Sequence, residues 1–243
     1  MKYIDVPEVQ MFKAEIPILD QLCRFAYKPD ATFVEIGTAE GGSASILLLE
    51  PLEKGGHVYT IDKKPHPNFQ RWYDRYEEVR AHLTPLKMTS DEAVKQFEDN
   101  SIDLVFVDGD HRYIQFRRDL ENWYPKVKKG GMICGHDCWR KSSELDGDEL
   151  KQYEEHWNHR TRHYNMWYPG LTKALYDVFN DEYVRCGALR LWYKLKRADY
   201  KIQRWECLHA WLKDLDGNYL YFDDNSCLLW CQVCGLVLKA SKD

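Results

Sequence analysis

Residues Thr32 to Ala44 constrain this chain more than any other stretch. Thr32, Phe33, Val34 and Ile36 favour an extended strand, carry a single acid, Glu35, and run straight into Gly37. Glycines at 41 and 42 come next, and Ser43 to Glu50 then reads as a helix that opens on a small polar residue. A strand, a glycine turn and a helix N-terminus in succession let a backbone come close to a nucleotide-like ligand. The dinucleotide spacing G-x-G-x-x-G is absent, and the spacing here is E-x-G-x-x-x-G, from Glu35 through Gly37 to Gly41. A glycine turn alone is weak evidence, so its meaning depends on the pattern of the remaining chain.

That pattern is alternation. Residues 8–27 carry Met11, Phe12, Ile16, Ile18, Leu19, Leu22 and Phe25 roughly on one helical face, with Pro17 as an interruption or restart. After the first strand and its helix, His57 to Asp62 predicts a second strand and Phe69 to His82 a helix. Leu83 to Met88 predicts a third strand, and Thr89-Ser90-Asp91-Glu92 is a helix-capping signal ahead of a short helix over Ala93–Phe97. Ile102 to Asp108 is an apolar run of the kind buried on both faces. Arg112–Lys129 predicts an amphipathic helix stopped by Gly130-Gly131, and Met132 to Asp137 predicts the fifth strand. Leu171–Phe179 predicts a further helix. Tyr183–Lys196 predicts a closing strand pair in which Leu189, Leu191, Tyr193 and Leu195 alternate with Arg190, Trp192, Lys194 and Lys196, a half-buried pattern.

Strands alternating with helices predict an α/β fold, a Rossmann-like doubly wound sheet of about seven strands. In such sheets ligands bind outside the carboxyl ends of the strands. Those ends carry Glu35-Ile36-Gly37, Asp62, Thr89-Ser90-Asp91, Asp108 and His136-Asp137. Four of the five end in acids that converge on one rim, although acids after strands also serve as helix caps. With a net charge of −5, nothing in the overall balance argues for nucleic acid as a partner. The first residues lack the apolar core of a signal peptide, and no stretch approaches a membrane span. Cys23, Cys134, Cys138 and Cys186 are scattered, while the other four of the eight cysteines crowd between 207 and 234. That asymmetry fits a reducing, cytoplasmic compartment with buried thiols in one part and metal ligands in the other.

Two motifs carry a family resemblance. Val107-Asp108-Gly109-Asp110-His111-Arg112-Tyr113 and Gly130-Gly131-Met132-Ile133-Cys134-Gly135-His136-Asp137 make the chain, over about residues 8 to 195, similar to the class I S-adenosylmethionine-dependent methyltransferases. Within that family it resembles the metal-dependent O-methyltransferase subgroup that acts on small molecules and sugars. The resemblance implies that Gly37 and Gly41 pass close to the methionine part of S-adenosylmethionine and that Glu35 supports the turn. It implies that Asp62 accepts the ribose hydroxyls, that Ser90 and Asp91 lie by the adenine, and that Asp108 borders the cofactor. It also implies a divalent cation, magnesium or manganese, at Asp108, His136 and Asp137. Two carboxylates and an imidazole suit such an ion, though His136 stands where several relatives have an acid. Asp110 and His111 are the catalytic candidates for taking a proton from a substrate hydroxyl, and an imidazole suits that work at neutral pH.

The chain changes character after Cys138. Residues 138–169 are polar and then rich in His and aromatics, and they predict a substrate lid over the strand rim. His156, His159 and His163 could share one helix face, as metal ligands or as a solvated surface. Beyond residue 198 a second unit, 199–243, holds Cys207-Leu208-His209 and Cys231-Gln232-Val233-Cys234-Gly235, with a hairpin signal at Asp216-Gly217. C-x-H with a later C-x-x-C-G matches a small zinc-ribbon-like module whose ligands are Cys207, His209, Cys231 and Cys234, with Cys227 as a spare that could replace His209. Four such ligands close a tetrahedral structural zinc site and fold a segment too short for its own core. Two functions are open at this point. One is cation-assisted methylation of a small-molecule or sugar hydroxyl. The other is a binding module in which the zinc tail recruits a nucleic acid or protein. No Asn-Pro-Pro-Tyr-like motif comes after the fourth strand, which counts against base methylation. These residues do not fix the oligomeric state, a homodimer included.

Overall fold

Strand residues with side chains on both faces need a helical layer on each side, and that requirement sets the architecture. The computed structural model describes residues 6–156, 168–186, 189–196, 228–230 and 237–239. Its main sheet contains β1 (Thr32–Ile36), β2 (His57–Ile61), β3 (Leu83–Leu86), β4 (Ile102–Val107), β5 (Val127–Gly135), β6 (Val184–Arg185) and β7 (Trp192–Leu195). These seven strands lie in the order β3-β2-β1-β4-β5-β7-β6. β1 pairs in parallel with both β2 and β4, and β5 pairs antiparallel with β7. The reversal of strand order beside β1 is the point where doubly wound sheets open a crevice.

Side-chain alternation divides the core in two. Phe33, Val58, Leu104, Phe106, Met132 and Cys134 face one layer, which includes α1 (Ile16–Ala26), α2 (Gly42–Leu47), α4 (Pro67–Arg75) and α5 (Glu77–His82). Val34, Ile36, Val105, Val107 and Ile133 face the other, built around α6 (Ser90–Ala93), α7 (Tyr113–Trp123) and α9 (Pro169–Phe179). All six residues of β4 are buried, as its apolar run predicts.

Several predicted boundaries move, each for a local reason. The first helix begins at Ile16, not at residue 8, with Pro17 in its first turn where a missing N–H costs nothing. The residues before it pass instead over the start of α2: a Cβ added to Gly42 would lie 2.4 Å from the Glu8 carbonyl oxygen and 2.5 Å from Val9 Cα. The helix expected over Phe69–His82 is two, α4 and α5, separated by an extended Tyr76 at φ −115°. Helix α7 ends at Trp123, so Lys128 and Lys129 belong to β5. The half-buried pattern predicted for the last strand fails at Trp192. Its ring is fully buried among Phe116, Phe179 and Tyr183 because α7 and α9 cover that face of β7.

The predicted lid is described only in part: α8 (Gly147–His156) and Tyr168 belong to it. His159 and His163, and the side chain of His156, lie outside the described residues, as do Cys207, His209, Asp216-Gly217, Cys227, Cys231 and Cys234. Of the last unit the structure describes an antiparallel pair, β8 (Leu228–Trp230) and β9 (Val237–Lys239), with Leu229 opposite Leu238. Among the described residues no helix is long and apolar enough to cross a membrane.

Candidate active site at the strand tips

The glycine turn after β1 is built for close approach. Gly37 sits at φ +101°, and a Cβ there would lie 2.2 Å from the carbonyl oxygen of Asp108, so β1 and β4 end in near contact. Gly41, at φ +91°, starts α2, where a Cβ would press 2.7 Å from the Phe69 ring. Beneath the turn, Glu35 is fully buried and braces it from inside. Its carboxyl accepts Ser43 Oγ at 2.5 Å and Thr60 Oγ1, and Thr60 in turn meets Thr38 Oγ1 at 2.6 Å. Burial drives Glu35 up to about 8 against the lowering effect of those two hydroxyls, so at neutral pH it is largely protonated. Glu35 therefore holds the turn's shape from below.

At the tip of β2, Asp62 comes directly after the strand and accepts the backbone N–H groups of Ala39 at 3.2 Å and Lys64 at 2.8 Å. It thus ties the tip of β2 to the glycine turn. Thr89 caps α6 in a reciprocal box with Glu92, as predicted. The side chains of Ser90 and Asp91 turn towards α7: Ser90 Oγ donates to Asp119 at 2.5 Å, and Asp91 takes Arg118 at 2.9 Å and Asn122 at 3.3 Å.

The β4 and β5 tips bring titratable side chains together. His111 Nε2 lies 3.2 Å from Asp108 Oδ1 and 3.2 Å from Asp137 Oδ2. Burial alone would lower this imidazole's pKa, but the two carboxylates outweigh it and hold it at about 9. Its ring stacks on Tyr168, with centroids 4.3 Å apart. Asp137 adopts φ +59°, an uncommon conformation for a residue with a side chain and one that collects at functional sites. Asp108, His111 and Asp137 each offer a ligand atom within 4.8 Å of the others.

Two predicted roles change with this geometry. The metal-capable cluster contains His111 in place of His136, whose Nε2 is engaged by Glu15 at 3.0 Å. His136 Nδ1 still faces the site, 3.5 Å from Asp137 Oδ1 and 3.9 Å from Asp108 Oδ2. Asp110, a candidate base, is taken up by Arg112, whose Nε reaches both carboxylate oxygens at 2.9 and 3.0 Å.

One cleft of about 180 Å³ joins these parts, lined by Gly37, Ser43, Asp108, His111, His136 and Asp137 among others. Sequence reasoning gave no site role to three residues there. Tyr168 was legible only as part of the aromatic lid. Arg190, read only as one of the alternating residues of the last strand, donates Nη1 to Asp137 at 3.0 Å. Glu15 was invisible, because it lies 121 residues from His136 and belongs to no motif.

The strand order, with an antiparallel β7 between β5 and β6, is that of a Rossmann-like α/β sheet with a glycine turn beside acidic strand tips. Residues 34–138, the segment carrying both strand-tip motifs, match the family model described as a methyltransferase domain. An uncharacterised protein, R132, of Acanthamoeba polyphaga mimivirus is 32% identical over 139 residues, 52% of this chain and 60% of that protein. The match thus spans about three-fifths of the relative's length. Among solved structures, cofactor-bound Rv0187 from MTB superposes with TM-score 0.55 at 14% identity, covering 81% of this chain and 85% of that one. An O-methyltransferase family protein from Burkholderia thailandensis gives TM-score 0.51 at 13% identity, over 76% of this chain and 56% of that one. At these identities the superpositions establish the fold.

Proposed function

We propose that this protein is an S-adenosylmethionine-dependent methyltransferase acting on a hydroxyl of a small molecule or sugar, assisted by a divalent cation. The observation that carries this reading is the meeting, in one cleft, of the glycine turn after β1 and the Asp108–His111–Asp137 triangle at the tips of β4 and β5. S-adenosylmethionine would supply an electrophilic methyl group. Gly37 and Gly41 would let the turn pass close to its methionine part, Asp62 would accept its ribose hydroxyls, and Ser90 and Asp91 would lie by its adenine.

Asp108 and Asp137 fit a divalent cation, because their carboxylates are hard oxygen ligands that meet at one point, with the His111 imidazole beside them. Asp108 and Asp137 would hold it, and when bound it would lower the pKa of the acceptor hydroxyl and orient it. His111 is the residue placed to take that hydroxyl's proton. Its high affinity for a proton comes from the two carboxylates, so neutralising them leaves burial dominant and favours the neutral ring, the form able to accept. The protein's main contribution is alignment of nucleophile and donor, for which the braced turn and the buried His136 and Asp137 are suited.

Calorimetry with S-adenosylhomocysteine tests the cofactor half: micromolar binding by the wild type that fails in Asp62→Ala supports the site, and equal affinity in both refutes it. Turnover in excess EDTA, with zinc content followed separately, tests the cation half. We assign the tail a structural zinc at Cys207, His209, Cys231 and Cys234; in its favour, Cys231 and Cys234 fall in the chain between the paired strands β8 and β9. One zinc per chain by elemental analysis, lost in Cys231→Ser, is the expected result.

A further inference from the structure

Glu15 is the most heavily engaged carboxylate among the described residues, and it belongs to none of the strand tips. It stands at the N-cap of α1 with no exposed surface. Its Oε1 accepts the backbone N–H of Arg190 at 2.8 Å. Its Oε2 accepts the N–H of Phe12 at 2.8 Å, Nε2 of His136 at 3.0 Å and Nη2 of Arg190 at 3.1 Å. Phe12 and Arg190 can only donate, and between them they engage both oxygens, so Glu15 meets His136 as an acceptor. An acceptor-only partner leaves His136 one choice: Nε2 carries a proton, and in the neutral ring Nδ1 is the bare nitrogen.

We propose that Glu15 is the positioning residue of the strand-tip site, fixing His136 as the Nε2–H tautomer with Nδ1 turned to Asp108 and Asp137, and holding Arg190 against Asp137. The Arg190 guanidinium is further confined between rings, 4.2 Å from the Phe12 centroid and 5.4 Å from that of Trp139. Carboxylate-to-imidazole hydrogen bonds of this kind orient the nitrogen presented to a metal or substrate. The same carboxylate also anchors, through Phe12, the segment that crosses Gly42 and contributes Glu8 to Met11 to the cleft wall. One residue thus ties the wall over the glycine turn to the tips of β5.

The consequence for metal binding rests on the proposed strand-tip function, whereas the tautomer does not. Nitrogen-15 spectra of the histidine rings in the wild-type protein are expected to show a protonated, pyrrole-type Nε2 on His136 wherever the protein is folded; a pyridine-type Nε2 overturns the proposal. Glu15→Gln offers one carbonyl oxygen and an amide donor to a site of donors, and is expected to shift the His136 tautomer. It should also lower Mn²⁺ affinity by about 10-fold or more while S-adenosylhomocysteine affinity stays within about two-fold. A folded Glu15→Gln protein with an unchanged His136 spectrum and unchanged Mn²⁺ affinity also overturns it. If Glu15→Gln does not fold, the wild-type spectrum decides. If the wild type binds neither Mn²⁺ nor S-adenosylhomocysteine, the functional reading fails while the tautomer result still stands or falls by itself.

Discussion

Replacing Gly37 by alanine strikes the point where the glycine turn and the β4 tip meet. The residue sits at φ +101°, where an L side chain costs roughly 1–2 kcal/mol. The added Cβ would lie 2.2 Å from the Asp108 carbonyl oxygen and 2.7 Å from its carbonyl carbon, and both are backbone atoms of a buried strand end that cannot rotate away. Relieving such an overlap costs about 1–3 kcal/mol more. The expected loss is therefore about 2–5 kcal/mol, or roughly 4–20 °C in Tm for a chain of this size. Gly147→Ala is the matched control, because nothing lies within 4 Å of a Cβ there and its backbone is ordinary. Thermal unfolding of both variants, then calorimetry with S-adenosylhomocysteine, checks the argument. Gly37→Ala melting within about 1 °C of Gly147→Ala would refute the claim that β1 and β4 converge at this turn.

The site and its surroundings set three further outcomes. The raised pKa of Glu35, about 8, contributes stability that is complete below its ordinary value of 4.5 and lost as pH rises through 8, up to about 4–5 kcal/mol in all. Tm should fall between about pH 4.5 and 8, and Glu35→Gln should remove much of that fall; an equally steep decline in the variant would count against a neutral buried acid. His111, raised to about 9, loses its stabilising proton over an overlapping range, so His111→Asn should flatten the remainder. Because a cation at Asp108 and Asp137 competes with that proton, Mn²⁺ binding at pH 7 should release protons, seen as a dependence of calorimetric heat on buffer ionisation enthalpy; no such dependence would argue against a shared site. Trp192→Ala should cost about 3–5 kcal/mol by denaturant melt, since the ring is fully buried at the seam of β7, α7 and α9.

Much of the fold could be read from residue order. The E-x-G-x-x-x-G turn, the all-apolar β4 and the acids after the strands are local signals, because strand period, turn conformation and helix capping are decided by near neighbours. They sufficed to bring Gly37, Asp108 and Asp137 to one rim, and the capping box at Thr89 was legible for the same reason. Helix limits were less legible where a competing backbone state intervened, as at Pro17 and Tyr76.

Sequence by itself determined the α/β class, the parallel order of the strands that bear acids, and the identity of the residues at their tips. Tertiary structure alone decided which of those groups touch. Asp110 is drawn off by Arg112, His111 drops between two carboxylates, and Glu15 reaches across the fold to His136 and Arg190. The physical reason is that a carboxylate buried without donors is costly, so each one settles beside whichever cations and N–H groups the packed chain brings within about 3 Å, at any sequence distance.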